Sequence, residues 1–280
     1  MTLNMMEVTE LKMVSVIMPA FDAAKTIKSS IESVIAQTYS KWELIIVDDC
    51  SSDNTVNVVE SIIETNKECD IKLVKNEKNM GVAYSRNRGV DESHGEWIAF
   101  LDSDDMWDKT KLEKQIRCIE RDGLKERNRW QGLLFTGSSF MTKDGRRLQY
   151  ILHVPERIDR RELLKQNLIS CSSVLVSKDL IKKYRFPEGI KTIHEDFAVW
   201  LNILSEVGVA HGIDEPLLVY RVAADSKSGK KSKAALMNWN TYKYIGLGPV
   251  KRVYYMIHYT LRGLRKWRGL KNSAVTSGKS

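Results

Sequence analysis

Residues 97–105 read Trp97-Ile98-Ala99-Phe100-Leu101-Asp102-Ser103-Asp104-Asp105. Five apolar residues in a row predict a buried strand. Carboxylates that stop such a strand mark its carboxyl end as a place for a ligand. Toward the N-terminus the pattern repeats. Val14-Ser15-Val16-Ile17-Met18 is a β-branched run ended by Pro19. Leu44-Ile45-Ile46-Val47 runs into Asp48 and Asp49, and Ile71-Lys72-Leu73-Val74 is a third strand. Between them Ile27, Ile31, Val34 and Ile35 recur at helical spacing. Asp53 is placed to cap a helix carrying Val56, Val59 and Ile63, and a further helix is expected from about Val82 to Asp91. Strands alternating with helices predict a parallel sheet covered on both faces.

Toward the C-terminus the reading changes. Leu133-Leu134-Phe135, Ser173-Val174-Leu175-Val176 and Leu217-Leu218-Val219-Tyr220 are short strands. Lys143-Asp144-Gly145-Arg146 predicts a hairpin turn between Phe140 and Leu148. Phe197, Trp200, Leu201 and Leu204 form a helical stripe that starts just after His194-Glu195-Asp196. Residues 223–235 read as a mobile loop.

The chain has 280 residues, 42% of them hydrophobic and 29% charged. That is enough for a core without disulfides or a structural metal, and it excludes a collagen, a disordered chain and a polytopic membrane protein. No apolar run has the length of a membrane span. Residues 1–12 form a leader whose Glu7 and Glu10 do not suit a secretory signal. Cys50, Cys69, Cys118 and Cys171 stand far apart, which predicts reduced, buried thiols in a cytosolic protein. The net charge of +8 is unevenly spread. Thirteen Lys and Arg follow Asp225 and no acid does, leaving 31 basic against 36 acidic residues in the first 225, a net −5. A mildly acidic body thus carries a basic tail suited to a polyanion.

Asp102, Asp104 and Asp105 together repel one another unless a cation offsets them. Oxygen-only ligands suit Mg²⁺ or Mn²⁺, with substrate phosphates completing the shell. The alternative is a solvated acidic turn capping the helix of Leu112, Ile116 and Ile119, although Thr110 and Glu113 are spaced as a capping box there. No G-x-G-x-x-G follows the first strand, neither Gly-Lys pair completes a P-loop, and no H-E-x-x-H occurs.

Taken in order, several motifs resemble the glycosyltransferases of family 2 with the GT-A fold, of the bacterial surface-polysaccharide (O-antigen or capsule) type. They are Val14 to Asp22, Gln37-Thr38-Tyr39, Glu43 to Thr55, Asn79 to Gly89, Leu101 to Asp105 and His194-Glu195-Asp196 with Trp200, ending near Tyr220-Arg221. The resemblance covers about residues 13–222. It implies an α/β fold: a Rossmann-like nucleotide-binding half at 13–108 fused to an α+β acceptor-binding half at 109–222. It also implies inverting transfer of a sugar, usually from a UDP-sugar, to an acceptor hydroxyl.

By resemblance, Pro19, Ala20, Phe21 and Asp22 lie under the nucleoside and Asp49 faces the uracil. Asp48 supports Asp49 or closes the strand. Asp102 and Ser103 face the ribose and the metal, and Asp104 ligates Mn²⁺ or Mg²⁺. Asp105 is a further ligand or a helix cap. Arg86 and Asn87 reach the donor sugar or hold the Asp102 loop. Asp196 matches the base position, with Glu195 as the other candidate, and Arg221 meets the diphosphate. The position two beyond Arg221, where the family often has histidine, is Ala223. His194 is expected at the rim, and Trp107 and Trp200 in the core.

The loop 223–235 is expected to close over the donor as a lid. Residues 236–272 are expected to form a basic amphipathic segment on an anionic inner-membrane surface, with a disordered tail at 273–280. Within that segment Val253, Met256, Ile257, Thr260, Leu261, Leu264 and Trp267 fall at helical spacing among Lys and Arg. This places the protein in the cytoplasm, attached peripherally to the inner membrane, and agrees with the acceptor class that the resemblance implies, a saccharide on a polyprenyl diphosphate. Two readings from other classes stand beside it. One is a phosphohydrolase using Asp102 and Asp104, against which Met106 stands where Thr or Val is expected. The other is a nucleic-acid binder led by the tail, opposed by the acidic body. No feature of the sequence sets an oligomeric state.

Overall fold

In the computed structural model, which describes residues 12–123, 132–222 and 231–276, the alternation of the first strands builds two cores. Strands β1 (Val14–Ala20), β2 (Trp42–Asp48), β3 (Ile71–Lys75) and β4 (Trp97–Phe100) are parallel. Val14, Val16 and Met18 of β1 face one side with Leu44, Ile46 and Ala99; Ile17 faces the other with Ile45, Val47 and Phe100. With both faces apolar the strands must lie between layers of helix. Helices α1 (Ile27–Ile35), α2 (Thr55–Thr65) and α4 (Lys111–Gly123) cover the first face. Helices α3 (Val82–Asp91), α5 (Arg160–Lys165), α6 (Lys178–Lys183) and α7 (Glu195–Val207) cover the second. α3 lies so close to β1 that a Cβ on Gly89 would meet the Ile17 side chain at 2.3 Å.

Beyond β4 the sheet is mixed, in keeping with the α+β character expected of the C-terminal half. The order is β3-β2-β1-β4-β9-β6-β10-β5. β9 (Leu175–Ser177) is antiparallel to β4 and to β6 (Leu133–Thr142). β6 runs parallel to β10 (Val209–Val222), on which the two-residue β5 (Met106–Trp107) pairs antiparallel. β7 (Arg147–Leu152) returns on β6 through the predicted hairpin, with Phe140 opposite Leu148, and β8 (Arg157–Asp159) joins β10.

Several local expectations are corrected. Only Cys171 is buried; Cys50 is exposed, Cys69 and Cys118 are intermediate, and none of the four forms a disulfide among the described residues. The capping box is not formed. The Thr110 hydroxyl donates to Asp108, and Glu113 takes the Thr38 hydroxyl and Arg117 instead. Asp53 accepts the Thr55 and Ala24 N–H groups at the start of α2.

Residues 1–11 of the leader, 223–230 of the expected lid and 277–280 of the tail lie outside the described residues. Residues 231–235 are helical and open α8 (Lys231–Tyr244); residues 273–276 end α9 (Pro249–Thr276). α8 belongs to the body and not to a surface segment: Met237, Asn238, Thr241 and Tyr242 are buried, and the Tyr242 hydroxyl donates to the Leu164 carbonyl. No helix among the described residues is long and apolar enough to cross a membrane.

Candidate active site

The registers of β1, β2 and β4 bring their carboxyl ends together: Ala20 lies opposite Asp48, and Ile17 opposite Phe100. Asp22, Asp48, Asp49 and the Asp102–Asp105 turn therefore lie at one edge of the sheet, but the structure puts these acids to different uses.

Asp49 is 3% exposed and accepts three N–H donors. Asn76 Nδ2 and the Met80 N–H reach its Oδ1 at 2.8 and 2.9 Å, and the Gly81 N–H reaches Oδ2 at 2.7 Å. It thus shapes loop 76–81, in which Gly81 has φ +89°, a conformation costly for any side chain. Asp48 accepts both the N–H and the hydroxyl of Ser51. Asp22 has φ +47° and accepts the Ser52 and Asp53 N–H groups. Pro19 and Ala20 are buried at the end of β1, and Phe21 stands half-exposed beyond them.

The Asp102–Asp105 turn is different. Asp102 is partly exposed and Oδ1 takes Arg86 Nη2 at 2.7 Å. Ser103 and Asp104 are also partly exposed. Burial, then the neighbouring charge of Asp102, pushes the Asp104 carboxyl up to about 6. Asp105 is completely buried and is neither a solvent-facing ligand nor a cap. Its oxygens take the Ser172 hydroxyl and the Arg221 N–H, and burial pushes its carboxyl well above the usual range. The Arg221 side chain donates to the Asp104 carbonyl at 2.8 Å and to the Lys143 carbonyl at 3.0 Å.

Arg86 and Asn87 are both buried. Arg86 is buried against the Phe186 ring and pairs with Asp102 and, through Nη1, with Glu195 Oε1 at 3.4 Å. Its Nε has no partner among the described residues. The Asn87 amide donates to the Phe186 carbonyl and to Glu188, and its oxygen accepts the Phe186 N–H. Both sit on α3 because Gly89 lets that helix approach the sheet.

Glu195 and Asp196 open α7. The helix N-terminus favours negative charge there. Burial outweighs that for Asp196: desolvation first, then the charge of Glu195, raises its carboxyl above the ordinary value. Asp196 Oδ1 accepts the Phe197 N–H at 2.8 Å. His194 is half-buried and its N–H donates to Thr241 Oγ1, so α8 braces the start of the acid-bearing helix. Trp107 and Trp200 are both in the core, as expected.

Sequence reasoning did not find Ser172, Asn76 or the buried Lys111, whose Nζ meets Gln115 and the Trp107 ring. They lie outside every recognised motif, and the partners of Ser172 and Asn76 are distant in the chain.

Among the described residues no three His, Cys, Asp or Glu side chains are grouped to hold a metal ion. The donor set of Asp102 and Asp104 nonetheless fits a divalent cation shared with phosphate. It is oxygen-only, and at Asp104 burial and the charge of Asp102 outweigh what its own backbone N–H and Arg221 offset.

The model of glycosyl transferase family 2 matches residues 15–125. The putative teichuronic acid biosynthesis glycosyltransferase TuaG of Bacillus subtilis (strain 168) is 35% identical over 91% of this chain and 97% of its own length. The chain belongs to glycosyl transferase family 2. This family member is also 33% identical, over 91% of its length and 94% of the relative's, to an Escherichia coli protein. That relative is the UDP-Glc:alpha-D-GlcNAc-diphosphoundecaprenol beta-1,3-glucosyltransferase WfgD. A solved mannosyltransferase from Pyrobaculum calidifontis, in complex with GDP-Man and Mn²⁺, shares the GT-A fold. Its TM-score is 0.65 at 17% identity, covering 95% of this chain and 74% of the other. The protein is a GT-A glycosyltransferase, and membership of the family decides against the phosphohydrolase and nucleic-acid readings.

Proposed function

We propose that this glycosyltransferase moves a hexose or N-acetylhexosamine, with inversion, from a UDP-sugar to a hydroxyl of a polyprenyl-diphosphate-linked saccharide in surface polysaccharide biosynthesis. The observation that carries the reading is the Arg86 bridge. One guanidinium joins Asp102 of the donor turn to Glu195 of the acid pair on α7, so the two halves of a transfer site stand side by side. The relative that acts on a diphosphoundecaprenol-linked GlcNAc supports the acceptor class.

In this reading the nucleoside rests on the ends of β1 and β2, over Pro19, Ala20 and Phe21, beside Asp22 and the loop that Asp49 builds. Asp104, with Asp102 and Ser103 beside it, would hold Mn²⁺ or Mg²⁺ together with the diphosphate. When bound, such a cation offsets the charge that develops on the leaving diphosphate. Asp196 takes the proton of the acceptor hydroxyl as its oxygen attacks the anomeric carbon on the face opposite the diphosphate. Its raised carboxyl suits a base. Glu195, held by Arg86, is the positioning partner. Arg221 holds the Asp104 carbonyl and keeps positive charge beside the diphosphate.

The acceptor lipid brings the protein to the cytoplasmic face of an anionic inner membrane. Val250, Val253, Tyr254, Ile257 and Leu261 of α9 are exposed in a single stripe, whereas Tyr255 and Met256 pack against the core. The stripe lies in the segment that carries 13 basic and no acidic residues after Asp225. Because α9 also packs on the body, point changes test it better than truncation. Ile257→Glu with Leu261→Glu should leave folding intact and abolish flotation with phosphatidylglycerol vesicles. Flotation equal to wild type would remove the membrane from the account. The donor is tested by a screen of nucleotide sugars with Mn²⁺ or Mg²⁺. UDP-sugars are expected to be turned over and GDP-sugars not; the reverse preference would overturn the donor assignment.

A further inference from the structure

Asp105 follows the two acids assigned to the cation, yet the proposed reaction does not use it. Its burial is complete, so it needs internal partners. Oδ2 accepts the Ser172 hydroxyl at 2.7 Å and Oδ1 accepts the Arg221 N–H at 2.9 Å. Ser172 is itself 2% exposed, and its oxygen in turn accepts the Asp102 N–H at 3.1 Å. A chain of hydrogen bonds therefore runs from the Asp102 amide through Ser172 and the Asp105 carboxylate to the Arg221 amide. It ties the turn after β4, the 3-10 turn Cys171–Ser173 and the end of β10. Three further bonds brace it. The Asp105 N–H donates to the Asp102 carbonyl at 3.0 Å, Arg221 Nε to the Asp104 carbonyl at 2.8 Å, and Trp107 Nε1 to the Ser172 carbonyl at 2.7 Å.

A plain core acid would be satisfied by whatever lies nearby. Here both ends of the chain are backbone amides of residues in the site, and the bracing bonds fix the carbonyls of the same turn. The backbone of the Asp102–Asp104 turn is thus held at Asp102 N, Asp102 O and Asp104 O, while the two carboxylates project from it.

We propose that Ser172 and Asp105 are positioning residues that latch this turn in its cation-binding shape and lock it to the end of β10. The proposal rests on the reading of Asp102 and Asp104 as the cation and diphosphate site. Two neighbouring carboxylates repel, so an unlatched turn lets them separate, and the cation must then draw them together. Losing the latch therefore weakens cation and nucleotide binding more than it slows the saturated enzyme.

The test titrates Mn²⁺ into the full-length enzyme with UDP, following free Mn²⁺ by electron paramagnetic resonance, and measures turnover against Mn²⁺ concentration. Ser172→Ala removes the hydroxyl; Asp105→Asn keeps the shape and the acceptor for the Arg221 N–H. Each is expected to raise the Mn²⁺ half-saturation at least five-fold, with kcat at saturating Mn²⁺ within two-fold of wild type. A wild-type measurement stands beside the variants: the Asp102 and Arg221 amides should exchange with deuterium slowly before any ligand is added. Unchanged half-saturation in both variants would overturn the latch, as would exchange of those two amides at open-loop rates. Asp104→Ala separates the two ideas. If it loses Mn²⁺ while Ser172→Ala and Asp105→Asn bind it as tightly as wild type, the latch alone is wrong. If Asp104→Ala binds Mn²⁺ like wild type, the cation reading falls and takes the latch with it.

Discussion

Two acidic clusters sit at the same edge of the sheet, at or just past the ends of their strands, and they do opposite things. Asp22, Asp48 and Asp49 accept backbone N–H and hydroxyl groups of the loops around them. Asp102 and Asp104 face each other's charge; Arg86 pairs with Asp102, while the burial of Asp104 is offset only in part, by its own backbone N–H and the charge of Arg221. The first cluster stabilises loop shape. The second holds an electrostatic cost that a ligand removes. The difference is a matter of which N–H groups point at the carboxylate, and it separates structural acids from binding ones more sharply than position does.

The largest effect is expected at the acid pair on α7. Asp196→Asn should lower kcat by about 10²–10⁴-fold, the usual worth of a general base, while leaving UDP binding unchanged in calorimetry. Glu195→Gln should retain more activity than Asp196→Asn; the opposite ranking would exchange their roles. The stability contrast between the clusters comes next. Asp49→Ala leaves three N–H donors without their acceptor and should cost on the order of 3 kcal/mol in urea unfolding. Asp104→Ala relieves repulsion and should leave the ligand-free protein as stable as wild type or more so. Equal destabilisation by both would erase the distinction.

The third effect is a pH dependence. Asp104 binds a proton below about 6, and a metal competes for the same oxygens. Mn²⁺ affinity should therefore rise as pH increases from 5 to 6 and level off above about 7, whereas an ordinary carboxylate would level off near 5. Titrations across that range decide between them. The smallest effect concerns the scaffold under both clusters. Gly89→Ala should cost about 1–3 kcal/mol by overpacking against Ile17, read as a lower melting temperature.

Much of this was legible in the sequence, for a physical reason. Short continuous apolar and β-branched runs mark a buried strand, so β1, β2 and β4 and the acids at their ends could be placed from residues alone. α3 runs from Val82 to Asp91, where its pattern put it. The C-terminal half was harder to read. β10 spans fourteen residues, but Gly212, Asp214, Glu215 and Pro216 interrupt its apolar pattern, and the register shifts between Ile213 and Leu218. Only its last third carried a strand signal. α8 has almost no amphipathic pattern because it buries polar Asn238 and Thr241 beside Met237 and Tyr242. The use made of each acid was not legible either. Asp49 and Asp104 look alike in one dimension; their difference lies in donors from residues 76–81 and in the approach of Arg86, Ser172 and Arg221.

The central claim is that Asp104 belongs to the binding cluster and Asp49 to the structural one. Thermal unfolding of wild type, Asp104→Ala and Asp49→Ala, each with and without UDP and Mn²⁺, tests it directly. Ligand should raise the melting temperature of wild type and of Asp49→Ala, and leave Asp104→Ala where it started. A full ligand-induced rise in Asp104→Ala, with Mn²⁺ still required, would contradict it.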